Sequence, residues 1–305
     1  MNSISKPTQW TPMSTKTSFR AAQIIPGEAC REHFRAFLGP PQYLVTDPAT
    51  LETAIIDPVL DYDDATSTTS TTTADCILEF IEQRGLKVTR ILETHAHADH
   101  LTASQYLKSR LPESPIICIG KRITQVQATF GPKYGLDPAS LVEEFDVLLE
   151  DDEEFMLGQL SCKVIHLPGH TPDSVGYLVG KSVFAGDSIF LPDVGSARAD
   201  FPGGNAKDLY ASMKRLLSLP QDYCIFVGHD YPPSPDRRPT CMSTVDEQAH
   251  FNKHIKTGTS KDVFVQMREA RDATLGEPKL LHSSLHTNIR AGKISSDAGR
   301  GAAGV

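Results

Sequence analysis

Apolar residues along this chain alternate between two rhythms, one typical of strands and one typical of helices. Short apolar runs at 43–46 and 54–57 surround a turn at Asp47-Pro48 and predict a pair of strands. Further runs with strand character lie at 88–93, 116–119, 155–157, 162–167, 175–179, 182–185 and 223–227. Apolar residues at helical spacing predict helices over 75–84, 101–111, 207–219, 243–253 and 261–273.

Both halves of the chain mix strands with helices, and several strands end in polar turns. This pattern predicts the α/β (α+β) class, as a sandwich of two mixed sheets flanked by helices. Turns at one edge of such a sandwich can converge on a single site. The threonine- and serine-rich tract at 66–73 is predicted to be an exposed flexible loop. Ser243 and Asp246 suit the N-terminal cap of the helix that follows them.

The composition is that of a globular protein with a sizeable core. The chain has 305 residues, of which 39% are hydrophobic and 22% are charged. The net charge of −8 offers no basic surface, so neither nucleic acid nor an anionic membrane is an expected partner. No apolar run approaches the ~20 residues that span a bilayer. We expect a single domain over 21–295 with a short helical C-terminal part, and a flexible tail over 296–305.

The N-terminal segment 1–20 is either a flexible terminus or an organellar presequence. The first 27 residues lack Asp and Glu and carry three basic residues, which suits a presequence, whereas Pro7 and Pro12 weaken an amphipathic helix. The six cysteines form no C-x-x-C pair, which favours a reducing compartment over a disulfide scaffold. We therefore expect the mitochondrial matrix or the cytoplasm, and not secretion.

The densest chemistry lies at 93–100, Glu-Thr-His-Ala-His-Ala-Asp-His, directly after an apolar strand run. A helix would scatter these side chains around its circumference, and a strand would divide them between two faces. A loop leaving a strand end can turn four of them toward one point: His95, His97, Asp99 and His100. Neutral imidazole and carboxylate are ligands that zinc, iron(II) and manganese(II) accept. The segment therefore predicts a metal site.

Three later segments repeat the arrangement of a strand followed by a metal-binding side chain. Their turns present, in order, His170, Asp187 and His229. Each turn alone is a weak signal, because Gly-His and Gly-Asp are common turn dipeptides. Four such elements in one chain predict a composite site.

The ligand types leave two arrangements open. In the first, two metal ions with Asp187 between them activate water for hydrolysis. The two ligand sets are then His95, His97 and His170 for one ion, and Asp99, His100 and His229 for the other. In the second arrangement, two histidines and Asp187 form a facial triad on one iron(II), with open positions for a substrate and O₂.

With these loops in this order, the chain resembles the metallo-β-lactamase fold superfamily and its αββα sandwich. The stretch 195–204, G-S-A-R-A-D-F-P-G-G, resembles the G-x-x-R-x-D-F stretch of the persulfide dioxygenases (sulfur dioxygenases), the ethylmalonic-encephalopathy protein family. Further matches are the histidine loop, the turn G-H-D-Y at 228–231 and the tail N-I-R-A-G at 288–292. Glyoxalase II is the rival family, but its first motif usually reads T-H-H-H-x-D-H, whereas this chain has Ala96.

The resemblance implies oxidation of glutathione persulfide by O₂ to sulfite and glutathione, with one Fe(2+) per subunit. Zn(2+) or a di-metal pair is the alternative, as in a glyoxalase II-like hydrolase of glutathione thioesters. By motif, the implied iron ligands are His95, His170 and Asp187. The side chains left to orient them or to bind water are His97, Asp99, His100 and His229. The resemblance also allows a homodimer.

Glutathione carries two carboxylates, so cationic and hydrogen-bonding side chains are expected in the cleft. Arg198 is the leading candidate by its position in the family stretch, with an ion pair to Asp200 as the structural alternative. Tyr210 and Arg290 are further candidates for substrate binding, and Tyr231 is predicted to lie near the open metal positions.

The other histidines are not assigned to the metal. His166 lies on the strand before its ligand turn and is predicted to be a hydrogen-bonded residue of the core or of the site's surroundings. Those in polar segments are predicted to be surface residues: His250, His254, His282 and His286.

Overall fold

The computed structural model describes residues 23–26 and 40–294, so the predicted N-terminal segment 1–20 and tail 296–305 lie outside the described residues. In chain order the strands are β1 (Gln23–Pro26), β2 (Tyr43–Thr46), β3 (Glu52–Ile56), β4 (Val59–Asp63), β5 (Thr68–Ser70), β6 (Lys87–Glu93), β7 (Leu101–Thr102), β8 (Ile116–Gly120), β9 (Val147–Leu149), β10 (Glu154–Leu157), β11 (Leu160–His166), β12 (Val175–Val179), β13 (Ser182–Phe184), β14 (Cys224–Phe226) and β15 (Met242–Thr244). The helices are α1 (Thr72–Arg84), α2 (Ser104–Arg110), α3 (Ile123–Phe130), α4 (Pro138–Leu141), α5 (Ala206–Leu217), α6 (Val245–Phe251), α7 (Lys261–Asp272) and α8 (Leu281–Asn288).

The described strands form two six-stranded sheets with the orders β1-β2-β3-β6-β8-β9 and β10-β11-β12-β13-β14-β15. In the first sheet β3, β6, β8 and β9 are parallel, while β1 and β2 pair antiparallel. In the second sheet only β13 and β14 pair in parallel. Both sheets are therefore mixed, as predicted. The order β5-β4-β7 forms a smaller antiparallel sheet.

Successive residues of the strands point to opposite faces, and both faces are buried. In β2, Tyr43 and Val45 pack between the sheets with Tyr177 of β12, whereas Leu44 packs under helices α1, α2, α3 and α8. The outer face of the second sheet packs in the same way against α5, α6 and α7. Burial on both faces explains the continuous apolar runs of the sequence. The layers follow the order helix, sheet, sheet, helix, which confirms the predicted αββα sandwich.

Two buried tyrosines connect the sheets at strand ends that lead into ligand loops. The Tyr43 hydroxyl donates to the carbonyl of Val227, 2.6 Å away and directly after β14. The Tyr177 hydroxyl donates to the carbonyl of Glu93, 2.7 Å away and the last residue of β6. These bonds fix the spacing of the loops that leave β6 and β14.

Several elements differ from the sequence-based expectations. The tract 66–73 is largely exposed but is not a plain loop, because it contains β5 and the start of α1. Helices α3 and α8 were not predicted, since their short apolar stripes become evident only against the first sheet. The cap of α6 is Thr244 with Glu247, which form a reciprocal capping box one residue later than predicted.

In the described part of the chain, no helix is long and apolar enough to cross a bilayer.

Candidate metal centre

The segment between β6 and β7 brings three histidine rings into contact. The ring centroids of His95 and His97 are 4.0 Å apart, and those of His97 and His100 are 4.2 Å apart. The His95 ring also lies 5.1 Å from that of His170, which arrives from the turn after β11. The loop thus gathers the side chains as the sequence predicted.

His95, His170 and Asp187 form one compact group, with one ligand atom of each within 4.8 Å of the others. His170 donates its Nδ1 hydrogen to the carbonyl of Arg198 at 2.8 Å, which leaves Nε2 facing Asp187 Oδ2 at 3.7 Å. Thr94 Oγ1 donates to Asp57 Oδ2 and therefore accepts from His95 Nδ1 at 3.0 Å. Both rings are held with Nε2 toward the group, which is how proteins orient ligating histidines.

A second group adjoins the first and shares Asp187 with it. His229 Nε2 lies 3.2 Å from Asp99 Oδ2 and 3.4 Å from Asp187 Oδ2. His100 Nδ1 lies 3.2 Å from the same oxygen of Asp99. His97, Asp99 and His100 also each place one ligand atom within 4.8 Å of the other two. All seven predicted metal-site residues thus lie in one cluster, and the donors suffice for one ion or two.

The chemistry of these donors fits a metal ion. Within the described residues, several buried atoms of the cluster have no hydrogen-bond partner: His95 Nε2, both ring nitrogens of His97, His100 Nε2 and Asp187 Oδ1. A buried polar atom left without a partner costs about 1–3 kcal/mol. Burial also lowers the pKa of His95 and of His97 well below the usual value, so both rings are neutral at neutral pH, the form that a metal ion accepts. A divalent ion would satisfy the lone pairs that face it, of which the neutral His97 ring supplies one, since its other nitrogen carries the hydrogen.

Asp57 is a site residue that the sequence analysis treated only as a strand end. It accepts the Thr94 N–H at 2.7 Å and the Thr94 hydroxyl at 2.8 Å, and its Oδ1 lies 3.2 Å from His97 Nε2. Its backbone has a left-handed φ of 50°, which aims the carboxylate under the histidine loop. The sequence did contain a signal for Asp57, because it follows β3 in the same way that Asp187, which was predicted as a site residue, follows a strand.

Glu93 lies under the same loop and is fully buried. Its Oε1 accepts hydrogen bonds from the hydroxyls of Thr102 and Ser104, and its Oε2 lies 3.9 Å from His97 Nε2. Burial, together with the nearby Asp57, raises the pKa of Glu93 to about 8. The loop therefore sits on a buried floor of two carboxyl groups.

A glycine allows the two ligand turns of the second sheet to approach each other. A Cβ on Gly228 would lie 2.2 Å from Asp187 Oδ1 and 3.0 Å from the backbone carbon of Gly186. The space beside the Asp187 carboxylate is thus available only because residue 228 lacks a side chain.

The predicted substrate residues differ in their placement. Tyr231 stacks on His229 with ring centroids 5.5 Å apart and is 56% exposed, so its ring borders the cluster and faces solvent. Tyr210 donates to the Thr259 carbonyl at 2.9 Å and packs against Phe264, in the helices that cover the second sheet. Arg290 follows α8, two residues beyond Asn288.

Arg198 forms the ion pair that the sequence analysis gave as its structural alternative. Its Nε and Nη2 donate to the two oxygens of Asp200 at 2.6 and 2.5 Å, and Nη1 donates to the Gly276 carbonyl at 3.0 Å. Its own carbonyl holds His170. Among the described residues these bonds use three of the five guanidinium N–H groups, which leaves two for a ligand.

The prediction that His254 lies on the surface is wrong. The ring is buried, and its Nδ1 accepts the Ser196 N–H at 2.9 Å. Gly195 makes room for it, since a Cβ there would lie 2.3 Å from His254 Nδ1. Among the other histidines that were predicted to lie on the surface, His250 and His282 are exposed and His286 is half-buried. His166 is half-buried and lies 3.2 Å from the Pro172 carbonyl through Nε2.

His254 gives the stability of the protein a defined pH dependence. Burial, followed by Lys253 and Arg268, lowers its pKa to about 4, whereas the unfolded value is about 6.5. Below pH 6.5 the unfolded chain binds a proton that the folded ring refuses. Each pH unit between the two pKa values corresponds to about 1.4 kcal/mol, so a stabilisation of about 3 kcal/mol is complete above pH 6.5 and lost as pH falls toward 4. We expect the difference in unfolding free energy between wild type and His254→Gln to shrink by that amount between pH 7 and pH 4. Chemical denaturation at several pH values measures it, and a constant difference would contradict the assignment.

Comparisons with known proteins agree with this architecture. The sequence profile described as the metallo-beta-lactamase superfamily matches residues 37–229. The solved structure of ETHE1 from Myxococcus xanthus superposes with a TM-score of 0.67 at 28% identity, and the match covers 90% of this chain and 100% of that one.

Three curated relatives carry different names. The beta-lactamase hydrolase-like protein of Agrobacterium fabrum is 44% identical over 274 residues, 88% of this chain and 63% of that protein, so this chain spans about six tenths of that relative. Glyoxylase B2 of Dictyostelium discoideum is 45% identical and the match covers 83% and 87% of the two chains. Human mitochondrial persulfide dioxygenase ETHE1 is 28% identical and the match covers 82% and 83%. The profile match, together with the ligand loops it contains, shows that this chain belongs to the metallo-beta-lactamase superfamily.

Proposed function

We propose that this chain is a mononuclear iron(II) persulfide dioxygenase that oxidises glutathione persulfide to sulfite. The observation that carries the proposal is the compact group of two histidines and one carboxylate, His95, His170 and Asp187. This donor set is the facial triad of non-haem iron oxygenases, which keeps coordination positions open. The likeness to the persulfide dioxygenases over most of both chains supports the same reaction.

The reaction balances with one water molecule: glutathione persulfide, O₂ and water give glutathione and sulfite. The terminal sulfur loses four electrons, which reduce O₂. The S–S bond breaks, water supplies the third oxygen of sulfite, the thiol keeps one proton and two protons are released. Iron(II), when bound, supplies the redox chemistry and the positions at which both substrates meet. The protein holds the ligands: Thr94 and the Arg198 carbonyl fix the two histidine rings, and Asp57 holds the loop from below.

A glyoxalase II-like di-metal hydrolase of glutathione thioesters is the second candidate. The group formed by Asp99, Asp187 and His229 favours it, because a second ion there would share Asp187 with the first. The name of the Dictyostelium relative points the same way. His97 and His100 would act as ligands in this enzyme, and in the dioxygenase they would orient the ligands or bind water.

Parallel loading with iron(II) and zinc(II) separates the two candidates. Each form is assayed with glutathione persulfide and with S-lactoylglutathione, while O₂ consumption and thioester hydrolysis are followed. We expect the iron form to consume O₂ with the persulfide. The zinc form should catalyse neither O₂ consumption nor thioester hydrolysis at a rate comparable to that reaction. Efficient thioester hydrolysis by the zinc form, without O₂ consumption by the iron form, would replace the proposal with the hydrolase.

Arg198 is proposed to bind a glutathione carboxylate through its two remaining N–H groups. Because a charge-assisted hydrogen bond contributes about 1.5–3 kcal/mol, Arg198→Ala should raise KM for the persulfide about tenfold or more and leave iron content unchanged. Asp200→Asn is the control, since it breaks the ion pair and keeps the guanidinium. Equal KM values for wild type and Arg198→Ala would end this assignment, and equal increases in both variants would assign the effect to the ion pair.

A further inference from the structure

The side chain of Asn288, at the end of α8, reaches into the histidine loop from almost 200 residues further along the chain. Its Nδ2 donates to the carbonyl oxygens of His97 and of His100, both at 2.8 Å. Its Oδ1 accepts the backbone N–H of Thr102 at 2.9 Å. The residue is only 3% exposed. One carboxamide thus makes three hydrogen bonds to a six-residue span of backbone.

The histidine loop needs such a partner. Residues 94–100 belong to neither a helix nor a strand. Val175 and Asp173 hold the backbone at Thr94 and Ala96, but sheet pairing does not reach residues 97–100. The two backbone carbonyls that Asn288 binds belong to His97 and His100, whose side chains are in the metal cluster, and they flank Ala98 and Asp99. A planar amide with two N–H groups fixes the separation of these carbonyls. An aspartate of the same shape has no N–H to offer.

The position of Asn288 is itself fixed from the opposite side. Leu281, Leu285 and Ile289 pack in the core under the first sheet. Gln127 on α3 donates its Nε2 hydrogens to the carbonyls of Ile289 at 3.0 Å and Leu141 at 2.8 Å. The carboxamide therefore extends from a rigid base and can set the loop geometry.

We propose that Asn288 is a positioning residue of the metal centre, which sets the placement of His97 and His100 through their carbonyls. It lies outside the region 37–229 that matches the superfamily profile. The inference goes beyond the proposed reaction, because it concerns metal affinity and applies whether the bound centre oxidises persulfides or hydrolyses thioesters.

Gln127 provides a matched control for testing this role. Both residues are buried carboxamides that donate to two carbonyls, and both hold the end of α8, but only Asn288 contacts the histidine loop. The variants are Asn288→Asp and Gln127→Glu, each of which replaces two donors by a carboxylate. Asn288→Ala removes the amide without adding a charge and serves if Asn288→Asp does not fold.

The measurement is the affinity of each full-length variant for Co(II), by competition with a chelator, together with the visible spectrum of the Co(II) form. Loss of a group that orients metal ligands typically weakens binding 10–100-fold. We expect a loss of that size in the Asn288 variants if His97 and His100 coordinate Co(II), and a smaller loss with a changed spectrum if they only orient its ligands. Gln127→Glu should lower the melting temperature and weaken Co(II) binding less than the Asn288 variants do, because Gln127 acts on the histidine loop only through the position of Asn288.

Hydrogen exchange gives a readout that does not depend on metal. In the metal-free proteins, exchange at 94–102 should accelerate in the Asn288 variants relative to Gln127→Glu. Equal Co(II) affinities and equal exchange in the Asn288 and Gln127 variants would overturn the inference and leave Asn288 a merely structural residue. Wild-type protein that binds Co(II) but, when loaded with iron(II), consumes no O₂ with persulfide would refute the proposed function alone.

Discussion

Asp187→Ala protein is expected to fold and to contain no iron. Asp187 contributes to both groups of the cluster, so its removal takes one ligand from either arrangement. The affinity for iron(II) should fall by more than about 100-fold, beyond the 10–100-fold typical of losing a supporting hydrogen bond. Metal content after reconstitution and persulfide-dependent O₂ uptake both measure it. An active, iron-replete Asp187→Ala enzyme would refute the ligand set.

The stability of the metal-free variant separates a ligand from a structural residue. Burial raises the pKa of Asp187, even though His229 and His170 act in the opposite direction, so the carboxylate is unfavourably placed without an ion. Asp187→Ala should therefore be at least as stable as metal-free wild type. Asp222→Asn, which alters an exposed carboxylate paired with Lys181, is the control and should change neither metal content nor stability appreciably.

Gly228→Ala is expected to impair metal binding through a steric effect alone. The added methyl group would lie 2.2 Å from Asp187 Oδ1 and 3.0 Å from the backbone carbonyl carbon of Gly186, so it would crowd both residues. Overpacking of this kind costs about 1–3 kcal/mol. We expect the displaced carboxylate to weaken iron(II) binding at least about tenfold, by competition with a chelator.

Gly276→Ala is the matched control for this substitution. A Cβ at Gly276 would meet no heavy atom within 4 Å, so the variant should retain wild-type metal affinity and stability. If Gly228→Ala bound iron(II) as tightly as Gly276→Ala, the close approach of residue 228 to the Asp187 carboxylate would have no functional importance.

The sequence was sufficient to predict which side chains come together at this site, because each of them follows a strand. His170, Asp187 and His229 stand directly after apolar runs whose two buried faces leave an unmistakable pattern. Parallel and mixed sheets bring such strand ends to one edge. Residues that were identified one at a time in the sequence therefore meet at a single site. The same reasoning would have found Asp57 at the end of β3, had its carboxylate been considered with the others.

The residues that support the ligands could not be found in this way, because long-range packing decides their roles. Asn288 and the histidine loop are almost 200 residues apart, and nothing near Asn288 in the sequence indicates where α8 docks. His254 lies in a polar segment, yet it is buried because Gly195 leaves space for its ring. For Arg198 the sequence analysis gave two roles, substrate binding and an ion pair with Asp200. The structure contains the ion pair, and substrate binding stays a prediction.

The most direct test of the central proposal is the stoichiometry of O₂ consumption and sulfite formation by the iron(II)-loaded protein given glutathione persulfide. The proposal predicts about one O₂ consumed for each sulfite formed, and loss of both in Asp187→Ala. Absence of O₂ consumption by iron-loaded wild type, with hydrolysis of S-lactoylglutathione in the same preparation, would contradict the dioxygenase and identify a thioester hydrolase.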